Sequence, residues 1–279
     1  MFAYEYKTPK LRTKTNELLE DTFSSLENDE KVFIVGLCGG QGGGKTKLSK
    51  TLCKNIKNSE IIEERNFFKP ITNEGRQSPL DEPLIGEFGG YSKDRKLLLV
   101  ELSNPKSYDY DKLYNTLKDL KDGKTVYINK FNEQEGKYSD IQIEINPEKI
   151  DLVIIEGYFL FLDQKVRDLI NLKMYVEIDD DVRLSRLIIN EQSLLNNNPV
   201  AFKYFFMIYE KYIKYAYDHY IAPTKKYAKI ILPNYAVKES ENQNENENET
   251  IESDETLDML VNNLQNIAAR RHKKKAIKS

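Results

Sequence analysis

Apolar residues along the chain fall into short solid runs separated by stretches of helical spacing, a pattern that predicts alternating strands and helices. Val32-Phe33-Ile34-Val35 is such a run, and Leu48, Leu52 and Ile56 follow it at helical spacing. Glu60-Ile61-Ile62-Glu63 predicts a second strand, and Asp109 to Lys121 a helix with Leu113, Leu117 and Leu120 inward, capped by Asp109 and stopped at Asp122-Gly123. Thr125 to Ile128 and the alternating Ile141-Gln-Ile143-Glu-Ile145 predict a small antiparallel flap. Asp151-Leu-Val-Ile-Ile-Glu156-Gly157 has the solid hydrophobicity of a doubly covered parallel strand that ends in an acid. Leu172 to Ile178 predicts another strand and Asp180 to Asn190 a helix. After the break at Asn196-Asn197-Asn198-Pro199, a long aromatic helix is expected from about Val200 to Ile221, its rings packing in the core. Ile230-Ile231-Leu232 is the last strand.

Outside this alternation, Lys10 to Leu26 predicts a leading helix packed on the main domain. Glu64 to about Lys96 reads as a long loop containing Pro70, Gly75, Pro79, Pro83, Gly86, Gly89 and Gly90. A loop of that length in a compact domain is more often functional than idle. Glu239 to Glu255 is an Asn/Glu tract too polar to fold, expected to be a disordered linker. Leu257, Leu260, Val261, Leu264 and Ile267 then restore an amphipathic helix able to dock back. The expected organisation is a helical extension over 1–29, a main domain over 30–238, an acidic linker over 239–255, a docking helix over 256–268 and a solvated basic tail over 269–279.

Composition adjusts this picture only at its edges. The 279 residues are 39% hydrophobic, and the net charge of −3 conceals eight acids in 239–255 and six Lys and Arg in 269–279, with a nearly neutral body between. That body offers no nucleic-acid-binding face. The longest apolar run, Leu152 to Leu162, contains Glu156 and is too short to span a membrane. The start Met-Phe-Ala-Tyr-Glu-Tyr-Lys has no signal-peptide pattern, and two cysteines, Cys38 and Cys53, build neither a disulfide framework nor a zinc site. A cytoplasmic protein with reduced thiols is expected, with no membrane or nucleic-acid partner. His219 and His272 stand alone, away from any metal-ligand spacing.

The candidate chemistry sits between the first strand and helix. Gly39-Gly40-Gln41-Gly42-Gly43-Gly44-Lys45-Thr46 matches G-x-x-x-x-G-K-[ST] without a gap. Glycines allow close backbone approach, so successive N–H groups and the following helix N-terminus cradle phosphate oxygens. Lys45 then reaches the β- and γ-phosphates and Thr46 holds Mg²⁺, with ATP or GTP as the nucleotide. No G-x-G-x-x-G lies in residues 36–46, which excludes a dinucleotide fingerprint.

Three further stretches are Asn104-Pro-Lys-Ser-Tyr-Asp109-Tyr-Asp111, Val153-Ile-Ile-Glu156-Gly157 and Ala222-Pro223-Thr-Lys-Lys-Tyr227-Ala228, joined by Arg183-Leu-Ser-Arg186. With them the chain resembles the uridine kinase family of P-loop nucleoside kinases from about Val32 to Pro233. The resemblance implies an α/β P-loop kinase fold: a parallel sheet with helices on both faces, an antiparallel flap and a helical lid. It further implies transfer of the γ-phosphoryl of ATP to the 5′-hydroxyl of uridine or cytidine, in pyrimidine salvage, and a homo-oligomer. Carried over, residues 39–46 bind nucleotide, Glu156 joins Thr46 at the metal, and the nucleoside falls near Ser103, Asp109 and Phe131.

The departures lie on the acceptor side. The family's Gln-Asp, whose Asp is the general base, corresponds to Glu64-Arg65; the ribose-holding Asp corresponds to Ser103; the pyrimidine-contacting Tyr and His fall near Phe131 and Gly136; and the lid stretch Glu191 to Asn198 has no Arg. Two classes stay open at this point. One is an active kinase in which Glu63 or Glu64 is the base, with Glu64 the preferred candidate beside Lys45, and Lys203, Lys211 or Lys214 replaces the lid arginines. The other is a nucleotide-binding pseudokinase.

Overall fold

The computed structural model describes residues 31–69, 99–133, 135, 137–195, 198–233 and 255–278. The segments expected as a leading helix and, after residue 69, as a long loop, together with Gly136 and nearly all of the acidic tract, lie outside the described residues.

Five strands form one parallel sheet: β1 (Phe33–Cys38), β2 (Ser59–Glu63), β5 (Leu152–Gly157), β6 (Leu172–Glu177) and β7 (Ile230–Pro233), in the spatial order β2-β5-β1-β6-β7. All six residues of β1 and of β5 are buried, as their solid hydrophobicity requires of central strands covered on both faces. The pleat of β1 separates two cores. Phe33, Val35 and Leu37 pack with Leu52 and Ile56 of α1 (Lys45–Asn55) and with the C-terminal helix, while Ile34 joins Leu113, Leu117 and Leu120 of α2 (Tyr110–Lys121). The flap strands β3 (Val126–Asn132) and β4 (Lys137–Ile145) pair antiparallel and bring Val126, Ile128, Phe131 and Ile145 to the α2 side. A short α3 (Gln164–Leu169) links β5 to β6.

Beyond β6, α4 (Asp180–Asn190) and the one-turn α5 (Gln192–Leu195) lead to α6 (Pro199–Ile208). The aromatic helix expected from Val200 to Ile221 starts as α-helix but continues with π winding over Tyr209–Lys214 and Tyr217–Ile221, then a 3₁₀ turn over Ala222–Tyr227. Tyr204, Phe205, Ile208, Tyr209 and Ile213 fill a third cluster, which is the core role expected of them; Phe202, Phe206 and Tyr215 stay exposed.

The C-terminal helix α7 runs from Glu255 to Lys278, where the sequence suggested a helix ending at residue 268 and a solvated basic tail. Leu260, Leu264 and Ala268 bury against the sheet, and the helix continues because its basic end has partners. Arg271 is 7% exposed, 5.2 Å over the Phe33 ring, and Lys275 Nζ lies 2.9 Å from Asp151 Oδ1 while donating to the carbonyls of Pro147 and Ile150. Asp151 is 1% exposed at the start of β5, so its charge needs that lysine.

Candidate nucleotide and acceptor site

The phosphate loop leaves the C-terminal end of β1 and enters α1, at the sheet edge where parallel folds collect ligands. Gly42 and Gly44 have φ of 73° and 83°, a region that other residues enter at a cost, so the loop's shape depends on these glycines. Lys45 begins α1 and folds back over the loop, Nζ donating to the carbonyls of Gly39 and Gly40 at 2.8 Å each and lying 4.3 Å over the Tyr158 ring. Burial pulls its pKa down to about 8 despite the nearby Glu156 carboxylate.

Glu156, at the end of β5, is 5% exposed and hydrogen bonded to Thr46; burial raises its pKa. Its Oε2 is buried with no partner. A buried carboxylate oxygen left open beside a threonine hydroxyl, next to a glycine loop, is the donor set a Mg²⁺ held with phosphate oxygens would use.

Two arginines of α4 lie against the glycine loop, and the sequence marked them only as part of the resemblance. Arg183 is 1% exposed; its guanidinium lies 3.5 Å over Tyr217, Nη2 reaches Asp180 at 2.6 Å, and Nε has no partner. A Cβ on Gly40 would come within 2.4 Å of Arg183 Nη1, so a side chain at position 40 would push the guanidinium from its present place. Arg186 donates from Nη1 to the Gly42 carbonyl at 3.2 Å. The i, i+3 spacing sets both on one face of α4, which was the available signal. Of the lysines considered as replacements for lid arginines, Lys214 pairs with Asp218 at 2.7 Å on the surface and Lys203 is exposed.

The acceptor side is arranged differently from the sequence expectation. Glu64 turns into the interior: it is 1% exposed, and its Oε2 accepts from the backbone N–H groups of Tyr158 (2.7 Å) and Phe159 (3.0 Å). A Cβ on Gly157 would lie 2.2 Å from that oxygen, so the carboxylate is sealed beneath the turn after β5. Burial lifts its pKa to about 7. A carboxylate so enclosed cannot touch a hydroxyl in the cleft, which corrects the choice of Glu64 as base. Glu63, by contrast, is the Cα partner of Glu156 at the neighbouring strand end and is 25% exposed.

Arg65 lies between two acids, Nε at 2.5 Å from Glu63 Oε2 and Nη1 at 2.9 Å from Glu133 Oε2 at the tip of the flap. Asn66 Oδ1 accepts from the N–H of Phe131, and the Tyr138 hydroxyl donates to the carbonyls of Asn66 and Phe68, so the flap is fastened along residues 65–68. Phe131 is 6% exposed, packed against Phe68 and Tyr138 with ring centroids at 5.1 and 5.4 Å. Ser103 is 7% exposed and donates to the Leu99 carbonyl. Asp109 caps α2 by accepting from the Lys112 N–H and borders an open groove with Lys112, Asn115 and Tyr127. Ser103 and Phe131 are therefore engaged inside the protein, and Asp109 in a helix cap.

The profile of the phosphoribulokinase / uridine kinase family matches residues 34–241. The chain belongs to this family. It is 30% identical over 206 residues to uridine-cytidine kinase B of Dictyostelium discoideum, covering 73% of this chain and 75% of that protein. It is 28% identical to uridine kinases of Borrelia turicatae (205 residues) and Staphylococcus aureus strain JH9 (210 residues), each alignment covering 72% of this chain and 86% of the relative. Membership agrees with the P-loop kinase fold, the parallel sheet and the antiparallel flap. No helix among the described residues is long and apolar enough to cross a membrane.

Proposed function

We propose that this kinase-family protein transfers the γ-phosphoryl of ATP to the 5′-hydroxyl of a pyrimidine nucleoside. The observation that carries the reading is the convergence of Lys45, Arg183, Arg186 and the Thr46–Glu156 pair on the glycine loop. Three cationic side chains and a row of backbone N–H groups around one loop match the charge of a triphosphate. Lys45, now bonded to the loop's own carbonyls, exchanges those acceptors for phosphate oxygens. Thr46 and Glu156 would hold Mg²⁺, which would supply positive charge beside the phosphates. The fixed cations stabilise the charge that spreads over the transferring phosphoryl, the main contribution such enzymes make. The hydroxyl oxygen bonds to phosphorus, the bond to the ADP oxygen breaks, and the hydroxyl proton leaves to a carboxylate.

One observation favours a second reading, a nucleotide-binding protein of the same family that transfers slowly or not at all. Arg65 occupies the place of the family's basic carboxylate, and a guanidinium cannot take a proton at physiological pH. ADP formation from Mg-ATP with and without uridine or cytidine separates the two. Nucleoside-dependent ADP and nucleoside monophosphate support the first reading, whereas tight Mg-ATP binding without that dependence supports the second.

A further inference from the structure

The acid that meets the acceptor hydroxyl can be chosen from three carboxylates near the end of β2. Glu64 is sealed under the turn at Gly157. Glu133 belongs to the flap and approaches through Arg65. Glu63 is level with Glu156 across the β2–β5 ladder, and side chains at paired positions of parallel strands project to the same face. It therefore stands beside the acid that pairs with Thr46, at the edge where the phosphates end. It is 25% exposed, and the ion pair with Arg65 Nε engages Oε2, which leaves Oε1 as its second acceptor atom.

Resting on the kinase reading above, we propose that Glu63 is the carboxylate that receives the acceptor hydroxyl's hydrogen bond and then its proton, and that Arg65 is a positioning residue that holds Glu63 in place and ties it to the flap through Glu133. The arrangement moves the carboxylate two residues upstream of the family's place and turns the substituted residue into its support. The guanidinium is a planar fork that fixes two acids at once, which a lysine reproduces only in part. The transfer balances: the hydroxyl proton passes to Glu63, the acceptor oxygen bonds to the γ-phosphorus, and ADP departs with the electrons of the broken bond.

The test couples Glu63 to the hydroxyl itself. Uridine and 5′-deoxyuridine are titrated calorimetrically into full-length wild type and Glu63→Ala, each loaded with Mg²⁺ and a non-hydrolysable ATP analogue. Uridine should bind Glu63→Ala at least about 10-fold more weakly than wild type, roughly one hydrogen bond to a charged group, while 5′-deoxyuridine binds both alike. Equal losses for the two ligands, or none, overturn the proposal. Wild type that binds the analogue but neither nucleoside overturns the nucleoside reading and this inference with it. In turnover, Glu63→Gln should lower kcat about 10²-fold or more with ATP affinity kept. Arg65→Met should lower kcat more than it raises the uridine KM, and Arg65→Lys should recover part of the loss. A Glu63→Gln rate within 3-fold of wild type, or Arg65→Lys no better than Arg65→Met, would count against it.

Discussion

The two halves of the cleft are built in opposite ways. The proposed phosphoryl-donor half is a run of eight consecutive residues, 39–46, supported by Glu156 and by two arginines one helical turn apart. The proposed acceptor half draws on Glu63–Phe68, the flap residues Phe131, Glu133 and Tyr138, and the turn after β5. A contiguous loop carries its chemistry wherever its strand and helix go, because its N–H groups and lysine are positioned by local backbone. An assembled half can exchange residues, since a carboxylate lost at one position can be supplied from another chain segment. In this protein the donor half keeps the full motif and the acceptor half differs at each place the family resemblance identifies.

The contrast is most directly broken at Lys45. Lys45→Ala should weaken Mg-ATP binding about 10²-fold, the size of a charge-assisted phosphate contact in a closed loop, with the fold unchanged by circular dichroism. Equal affinities by calorimetry would show that the donor half does not depend on its motif.

On the acceptor half, Ser103→Asp restores the family's residue type but places a carboxylate in a 7% exposed site beside the Leu99 carbonyl. It should cost ~3 kcal/mol, a fall of about 8 °C in Tm. A variant as stable as wild type and faster with uridine would mean that this half retains the family's ribose site.

Glu64 sharpens the comparison through pH. Its folded pKa of about 7 lies above its ordinary value of 4.5, so the folded protein holds the proton more tightly than the unfolded chain. The stability contributed by the protonated carboxyl is fully present below pH 4.5 and lost as pH rises through 7. Glu64→Gln removes that slope and still offers an oxygen to Tyr158 and Phe159. Denaturant unfolding should find it more stable than wild type by ~3 kcal/mol well above pH 7, the difference vanishing below pH 4.5. A difference independent of pH would show that Glu64 does not titrate with folding.

Lys45 gives the corresponding donor-half dependence. Its pKa is about 8 in the ligand-free protein, and phosphate binding requires the ammonium form. ATP affinity should therefore fall up to about tenfold per pH unit above pH 8, with no such contribution below it. Calorimetry at pH 8.5 in buffers of different ionisation enthalpy should detect proton uptake on binding; none would show that Lys45 is already charged. The smallest effect is expected at the flap. Tyr138→Phe removes a hydroxyl bonded to the carbonyls of Asn66 and Phe68 and should cost ~1 kcal/mol, raising the uridine KM more than the ATP KM. An equal change in both would mean that the flap serves both halves.

The sequence by itself determined the order of strands and helices, the phosphate loop and the acid at the end of β5. Each of these depends on local periodicity or on neighbours in the chain: the solid run Leu152–Ile155, short and β-branched, suits a strand covered on both faces, and Lys45 follows its glycines directly. Tertiary structure alone decided the direction of Glu63 and Glu64. Adjacent in sequence, they part because β2 ends between them and Glu64 enters a 3₁₀ turn, sending one carboxylate to the cleft edge and the other beneath Gly157. The same holds for Arg271 and Lys275, which composition reads as a solvated tail and which are buried or nearly so because the sheet presents Phe33 and Asp151 to them. Partners more than a hundred residues away leave no trace in a local pattern, since a side chain's charge is written in the sequence and the neighbour that offsets its burial is supplied only by the fold.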